Sequence, residues 1–203
     1  MSSQKEIVAI IGPNGSGKTS AANAIDITSR LPFINPDDIA RKEFSHIADE
    51  NERNLRAWHA CNAIRDFAIA DGISFGFETV GSHPSKVDFL RSAKELGYKI
   101  TVLFVGTECP DINVRRVNQR VKMGGHSVPE EKIRARYYRT MNLLSDYFEV
   151  ADIATIWDNS IDVDDNNPNP IREVLAHKDL DSTCTFRSEA NVKWIHTYLL
   201  DKF

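Results

Sequence analysis

Eight consecutive residues carry the densest chemistry in the chain: Gly12-Pro13-Asn14-Gly15-Ser16-Gly17-Lys18-Thr19. They fit the pattern G-x-x-x-x-G-K-S/T, which cradles nucleotide phosphates. Glycines permit backbone conformations in which successive N–H groups point inward at phosphate oxygens. A helix opening at the end of the loop adds the positive end of its dipole. In that arrangement Lys18 lies against the β- and γ-phosphates and the Thr19 hydroxyl holds Mg2+. Ser20 follows in the first helical turn and completes the nucleotide-contacting set. The motif comes after an apolar run and before a helical stretch, which is the context it requires. A nucleoside triphosphate is the ligand this predicts.

The loop leaves the fate of the γ-phosphate open. A switch GTPase needs N-K-x-D and D-x-x-G. An ABC-type ATPase needs an L-S-G-G-Q-type signature and an apolar strand ending in Asp-Glu. The sequence has none of these, so a small kinase or a less marked ATPase remains. Phosphate transfer to an alcohol needs a carboxylate to accept the hydroxyl proton, and further polar groups to hold the acceptor. In open α/β sheets such groups lie beyond the carboxyl ends of the strands. Asp37 and Asp38 follow the second candidate strand, with Asn35 just before them; Glu78 and Thr79 end the third. Asp37 is the candidate base, and Asn35, Glu78 and Thr79 are candidate acceptor contacts. The Asn-Pro-Asp-Asp-Ile run suits helix capping by Asp37 and Asp38 equally well.

Between Asn113 and Arg139 stand eight Lys or Arg and two acids, in a chain whose net charge is −4. A local excess of this kind suits an anionic ligand. At 100° per residue, Arg120 lies roughly 90° from the stripe of Val114, Val117 and Val121, and Arg115 and Arg116 roughly 130°. On the next helix Arg134 lies about 60° from the stripe of Tyr137 and Leu144, Arg136 about 100°, and Arg139 nearly opposite. Arg120, Arg134 and Arg136 can therefore border a groove, while Arg139 faces water. Arginines beside a lid commonly neutralise a transferring phosphoryl group, and Gly124-Gly125 offers a hinge. His126, next in the chain, is a candidate loop hydrogen bonder. An RNA-binding reading lacks an aromatic platform or motif. Trp58, Tyr137 and Tyr138 are read as packing residues, and the cysteines as small buried hydrophobes.

Five apolar segments must position these groups: Glu6 to Ile11, Leu31 to Asn35, Ile73 to Glu78, Lys99 to Val105 and Ile153 to Trp157. Helical patterns separate them. One runs through Leu55, Trp58, Cys61, Ile64 and Phe67, and another through Val87, Leu90 and Ala93. A third holds Val114 to Val121, and a fourth joins Ile133, Tyr137, Met141, Leu144 and Phe148. Alternation of this kind predicts a doubly wound α/β domain with about five mainly parallel strands and a helical lid segment. Its core spans about residues 5–160 of a single domain covering 1–203. The stretch 162–170 reads as a linker, and the tail after it as one helix, 188–200.

The 203 residues, 41% hydrophobic and 27% charged, are those of an ordinary globular chain. No apolar run is long enough to span a membrane, and no secretory signal is visible. Cys61, Cys109 and Cys184 are odd in number and widely spaced, against a disulfide framework or zinc site. The expected compartment is the reducing cytoplasm. Slight acidity argues against general nucleic-acid binding.

The segments IGPNGSGKTSAANAI, FINPDDIAR, FGFETV, ELGYKITVLFV and RVNQRVKMGGHSVPEEKIRARYYRTMNLL together resemble the zeta-toxin-like P-loop kinases, from about Glu6 to Ser160. The GGHSVP segment with its arginine-rich flanks is the specific part. The resemblance implies a kinase-like fold, ATP and Mg2+, and phosphorylation of a small-molecule hydroxyl. For zeta toxins proper that molecule is UDP-N-acetylglucosamine. It implies Lys18 as loop lysine, Asp37 as base, Glu78 as the third-strand acid, and Arg120 and Arg136 as phosphate-facing arginines, with Arg134 competing for the second place. Where family members often have Thr-Thr-Leu-Ser-Gly after the acid, this chain has Thr79-Val80-Gly81-Ser82-His83. No antitoxin partner is implied. The second function class is an ATP-binding regulatory or nucleic-acid-processing ATPase with no small acceptor.

Overall fold

The computed structural model describes residues 4–125, 127–161, 173–186 and 192–202. Strand β1 (Glu6–Ile11) forms because an unbroken apolar run can bury side chains on both faces of a sheet. Ile7, Ala9 and Ile11 enter the larger of the two cores that flank the sheet, and Val8 and Ile10 enter the smaller one on the other face, while a third cluster joins Val114, Val117 and Ile133. The phosphate loop leads into α1 (Lys18–Ala24), followed by α2 (Ile27–Arg30) and the short β2 (Phe33–Ile34). Helix α3 (Pro36–Glu43) starts on proline, whose missing N–H and fixed φ suit a first helical position. Next come α4 (Glu50–Ala70), β3 (Phe75–Thr79), α5 (Ser85–Glu95) and β4 (Lys99–Gly106). Helices α6 (Pro110–Lys122), α7 (Glu130–Asn142) and α8 (Leu144–Val150) lead to β5 (Ile153–Asp158).

The sheet order is β2-β3-β1-β4-β5-β6-β7, and the first five strands are parallel. Ile11 is level with Thr79 on one side and Phe104 on the other, and Gly106 is level with Asp158. The loops after β1, β3, β4 and β5 therefore leave at one edge, where ligands of parallel sheets bind. The sheet has seven strands rather than the five expected. The tail contributes β6 (Glu173–Lys178) and β7 (Cys184–Phe186), both antiparallel. Their turn puts Ser182 at φ 64, with no glycine or asparagine to mark a hairpin. Helix α9 (Lys193–Tyr198) is shorter than the stretch expected, and it sends Trp194 and Ile195 into the larger core. The stretch 162–170 and residues 188–191 of the tail lie outside the described residues, as does His126.

Two helical expectations change. Of the residues expected to form one face of α4, only Cys61 is buried; Leu55, Trp58, Ile64 and Phe67 are exposed. Residues at a strict spacing of three drift about 60° per step, so five of them cannot share a face. Small residues let α4 approach instead: Ala57, Cys61 and Ala68, with Arg65 beside them. The helix expected from Ile133 through Phe148 is two helices meeting at Leu143, although all five marked residues are buried. Cys109 is partly exposed and Cys184 exposed, so only Cys61 is a buried hydrophobe. Tyr137 is buried, whereas Tyr138 and Trp58 are exposed. Gly124-Gly125 closes α6: Gly124, at φ 85, donates to the Val121 carbonyl and Gly125 to the Arg120 carbonyl, a Schellman cap. Among the described residues no helix is long and apolar enough to cross a membrane.

Candidate active site

The phosphate loop is held from outside by two asparagines. Asn113 of α6, fully buried, donates to the Asn14 carbonyl at 2.7 Å and accepts from the Thr107 hydroxyl. Asn159 donates to the Ser16 carbonyl at 2.7 Å. Gly15 sits at φ 77, and a Cβ there would lie 2.6 Å from the Asn113 carbonyl oxygen, so no other residue fits. Arg116 donates to the carbonyls of Asn159 at 2.7 Å and Ile161 at 2.9 Å. Sequence reasoning missed these supports. Thr107 and Asn159 are the first residues past β4 and β5, so the strand-end rule that selected Asp37 and Glu78 reaches them too. Arg116, roughly 130° from the apolar stripe of α6, is met by the loop after β5.

Ser16 Oγ is buried and meets no hydrogen-bond partner among the described residues. A phosphate oxygen in the loop would satisfy it, so the residues present fit a nucleoside triphosphate. Lys18 is buried, and its Nζ donates to the Pro13 carbonyl at 2.9 Å. Burial is the main cause pushing its pKa down; Glu78, 4.0 Å away, and Asp37 act against that, while Arg120 and Arg136 add to it. The ammonium thus stands among four charged groups, with Glu78 as its ion-pair partner. Lys18→Ala is expected to weaken binding of an ATP analogue by roughly 10–100-fold, the equivalent of one charged hydrogen bond. The melting temperature should hold, because removing a buried cation lifts a desolvation cost that offsets the packing lost with the Lys18 stem. Titration calorimetry beside thermal melting checks this; unchanged affinity would remove Lys18 from the phosphate site.

The Thr19 hydroxyl donates to Glu78 at 3.0 Å. This hydroxyl and carboxylate are the oxygen donors a hard cation takes, so the pair fits Mg2+. Ser20 is exposed in the first turn of α1. The Thr79 hydroxyl accepts from the Gly81 N–H at 3.2 Å and so shapes the turn after β3. That turn is anchored from below, where Thr140 donates to the Val80 carbonyl at 2.9 Å and Tyr147 to the Gly81 carbonyl at 3.0 Å.

Asp37 does not cap its helix. The Asn35 side chain does, accepting from the Asp37 N–H at 2.9 Å. Asp38 pairs with Arg41. The Asp37 carboxylate remains exposed and faces two adjoining cavities of about 390 and 660 Å³. The smaller cavity is lined by Lys18, Glu78, Thr79 and Arg136, and Asn35, Asp37 and Arg120 border both. Arg136 is half-buried, 3.5 Å from Asn14 Oδ1, and burial lowers its pKa. Arg134 turns the other way. It pairs with Asp111 at 2.7 Å and Glu130 at 2.8 Å, which raise its pKa. Trp58, expected to pack, lines the smaller cavity.

A family model described as Zeta toxin matches residues 1–163. The chain belongs to the zeta toxin family. A protein of Haemophilus influenzae, described as uncharacterized, is 30% identical over 136 residues, covering 66% of this chain and 94% of its own. The crystal structure of AvrRxo1-ORF1:-ORF2 with ATP superposes with a TM-score of 0.73 at 14% identity, over 96% of this chain and 63% of its own. A structure from the PezAT toxin–antitoxin system of Streptococcus pneumoniae gives a TM-score of 0.56 at 12% identity, over 100% of this chain and 82% of its own. At these identities the structures share the fold, whose parallel order β2-β3-β1-β4-β5 is the one described above. Family, phosphate loop and sheet order together make this zeta toxin relative a nucleotide-binding P-loop protein of the kinase type.

Proposed function

We propose that the chain is an ATP-dependent kinase that phosphorylates a hydroxyl of a small molecule. One observation carries this reading. Asp37 faces the same cavity as Lys18, Arg120 and Arg136, and Asn35 has relieved it of the capping duty. A carboxylate held at the phosphate site without a structural task is what a hydroxyl nucleophile requires. Asp37 takes the acceptor's proton while the acceptor oxygen bonds to the γ-phosphorus and the bond from that phosphorus to ADP breaks. Arg120 and Arg136 neutralise charge on the transferring group. Thr19, with Glu78, would hold Mg2+, which would supply further neutralisation of phosphate charge. Asn35, Glu78 and Thr79 border the acceptor's space, and Ser20 ends the loop's contacts. Arg134, tied to Asp111 and Glu130, is left out of the catalytic set.

The family suggests a nucleotide sugar such as UDP-N-acetylglucosamine as the first acceptor to try. The cytoplasm expected from the cysteine pattern goes with this reading. Incubation with ATP, Mg2+ and a metabolite set that includes this compound is expected to yield ADP and a phosphorylated product only when one acceptor is present. ADP formed at the same rate with every compound, and with none, would instead identify a regulatory or nucleic-acid-processing ATPase.

A further inference from the structure

The smaller cavity carries more positive charge than a nucleotide needs. Lys18, Arg120 and Arg136 meet the phosphate loop. Two further cations, Arg65 of α4 and Lys86 in the first turn of α5, line the same cavity beside Trp58 and Ser82. Arg65 is only 8% exposed. Its guanidinium lies over the rings of Phe77 and Phe89, 5.2 and 5.7 Å from their centroids. Its one polar partner among the described residues is the Asn62 side-chain oxygen, so most of its five donors are unused. Lys86, half-buried, makes no ion pair with a described carboxylate.

A buried guanidinium without a carboxylate is costly, and a second cation beside it adds to that cost. Burial pushes both groups' pKa down, and Arg65 pushes Lys86 further. The protein's own carboxylates compensate them little. Glu78 is engaged with Thr19 and Lys18, Asp37 acts on Lys18, and the carboxylate that acts on Arg65 is that of the exposed Asp66. The cavity therefore has a nucleotide end and a separate cationic end.

The geometry points to a second anion site, formed by Arg65 and Lys86, that binds an acid group of the phosphate acceptor. The acceptor is thus a hydroxy compound bearing a phosphate or a carboxylate, its acid on Arg65 and Lys86 and its hydroxyl toward Asp37. Neutral sugars and amino alcohols are excluded as acceptors. The planar guanidinium, braced on two rings and on Asn62, offers its remaining N–H donors to two oxygens of either acid, and Lys86 adds a point charge. Assigning this anion to the acceptor rests on the kinase reading; the existence of the site does not.

The test fills the phosphate loop first. Protein saturated with a non-hydrolysable ATP analogue and Mg2+ is titrated calorimetrically with inorganic phosphate, and separately with acetate. Saturable binding of at least one anion is expected, and the stronger of the two names the acid class. Lys86→Gln, at a half-buried position, should weaken that binding by about ten-fold or more, the loss expected for one charge-assisted contact. Affinity for the analogue should stay unchanged, and Lys86→Arg should restore anion binding. Arg65→Gln should lose it as well, provided its melting curve matches wild type; if it does not, Lys86→Gln decides. No saturable binding by the analogue-filled protein, or equal binding in wild type and Lys86→Gln, overturns the site. Anion binding without phosphoryl transfer to any acid-bearing hydroxy compound would overturn the acceptor assignment and the kinase reading while leaving the site standing.

Discussion

Replacing Arg136 or Arg120 by alanine is expected to lower phosphoryl transfer by ~10³-fold or more, the scale of a full arginine-finger contribution. Both side chains face the cavity that also holds Lys18. Both are close enough to act on the Lys18 ammonium, so both carry positive charge to the place where the γ-phosphoryl would develop negative charge. Arg136 has been taken partly out of water to stand there, which strengthens its field at the reacting group. ATP affinity should fall much less than turnover, because charge on the phosphoryl oxygens redistributes only as the bond breaks. Two controls sit on the same helix. Arg139 is exposed, and Arg134 is tied to Asp111 and Glu130. Alanine at either should leave turnover within a few-fold of wild type. Steady-state rates with an identified acceptor decide the matter; equal small losses at all four positions would mean a solvated basic face and no role in transfer.

The parallel half of the fold was legible because its strands are buried on both faces. Runs such as EIVAII and KITVLFV have no other compact solution in a chain with helical segments between them. The hairpin of β6 and β7 was hidden because, among the described side chains, only Ala176 enters the core, and it turns through Ser182 without glycine. Helical angles separated Arg136 and Arg139 but could not separate Arg134 from Arg136. Both lie within reach of a groove, and the choice is made by Asp111 and Glu130, one of them on another helix. The same limit applies to Arg65. A lone arginine within a helix reads as a solvated residue until Phe77 and Phe89, from a strand and a second helix, close over it. At Asp37 the ambiguity was of a different kind. Asn, Asp and Asp are all good capping residues within four positions, and only the hydrogen bond from the Asp37 N–H to Asn35 assigns the cap.

That assignment sharpens the expectation for Asp37→Asn. An acceptor hydroxyl is a poor nucleophile until its proton has somewhere to go, and amide nitrogen and oxygen cannot take it at neutral pH. Phosphoryl transfer should fall by ~10²–10⁴-fold, the usual weight of a positioned general base. Stability should hardly move. Asn35 keeps its cap, and the lost first-turn charge at an exposed site is worth only about 0.3–1 kcal/mol of helix-dipole interaction. Asp38→Asn provides the comparison: it removes the same charge from the same helical turn, yet Asp38 pairs with Arg41 and does not line the cavity that holds Lys18. A variant in which both losses were structural would show equal effects at the two positions. Single-turnover transfer, measured beside thermal melting, should show a large kinetic loss for Asp37→Asn alone, with both melting curves near wild type. Normal transfer by Asp37→Asn would mean that the proton leaves by another route. The carboxylate would then be an ornament of the helix, and the kinase assignment would lose the residue on which it most depends.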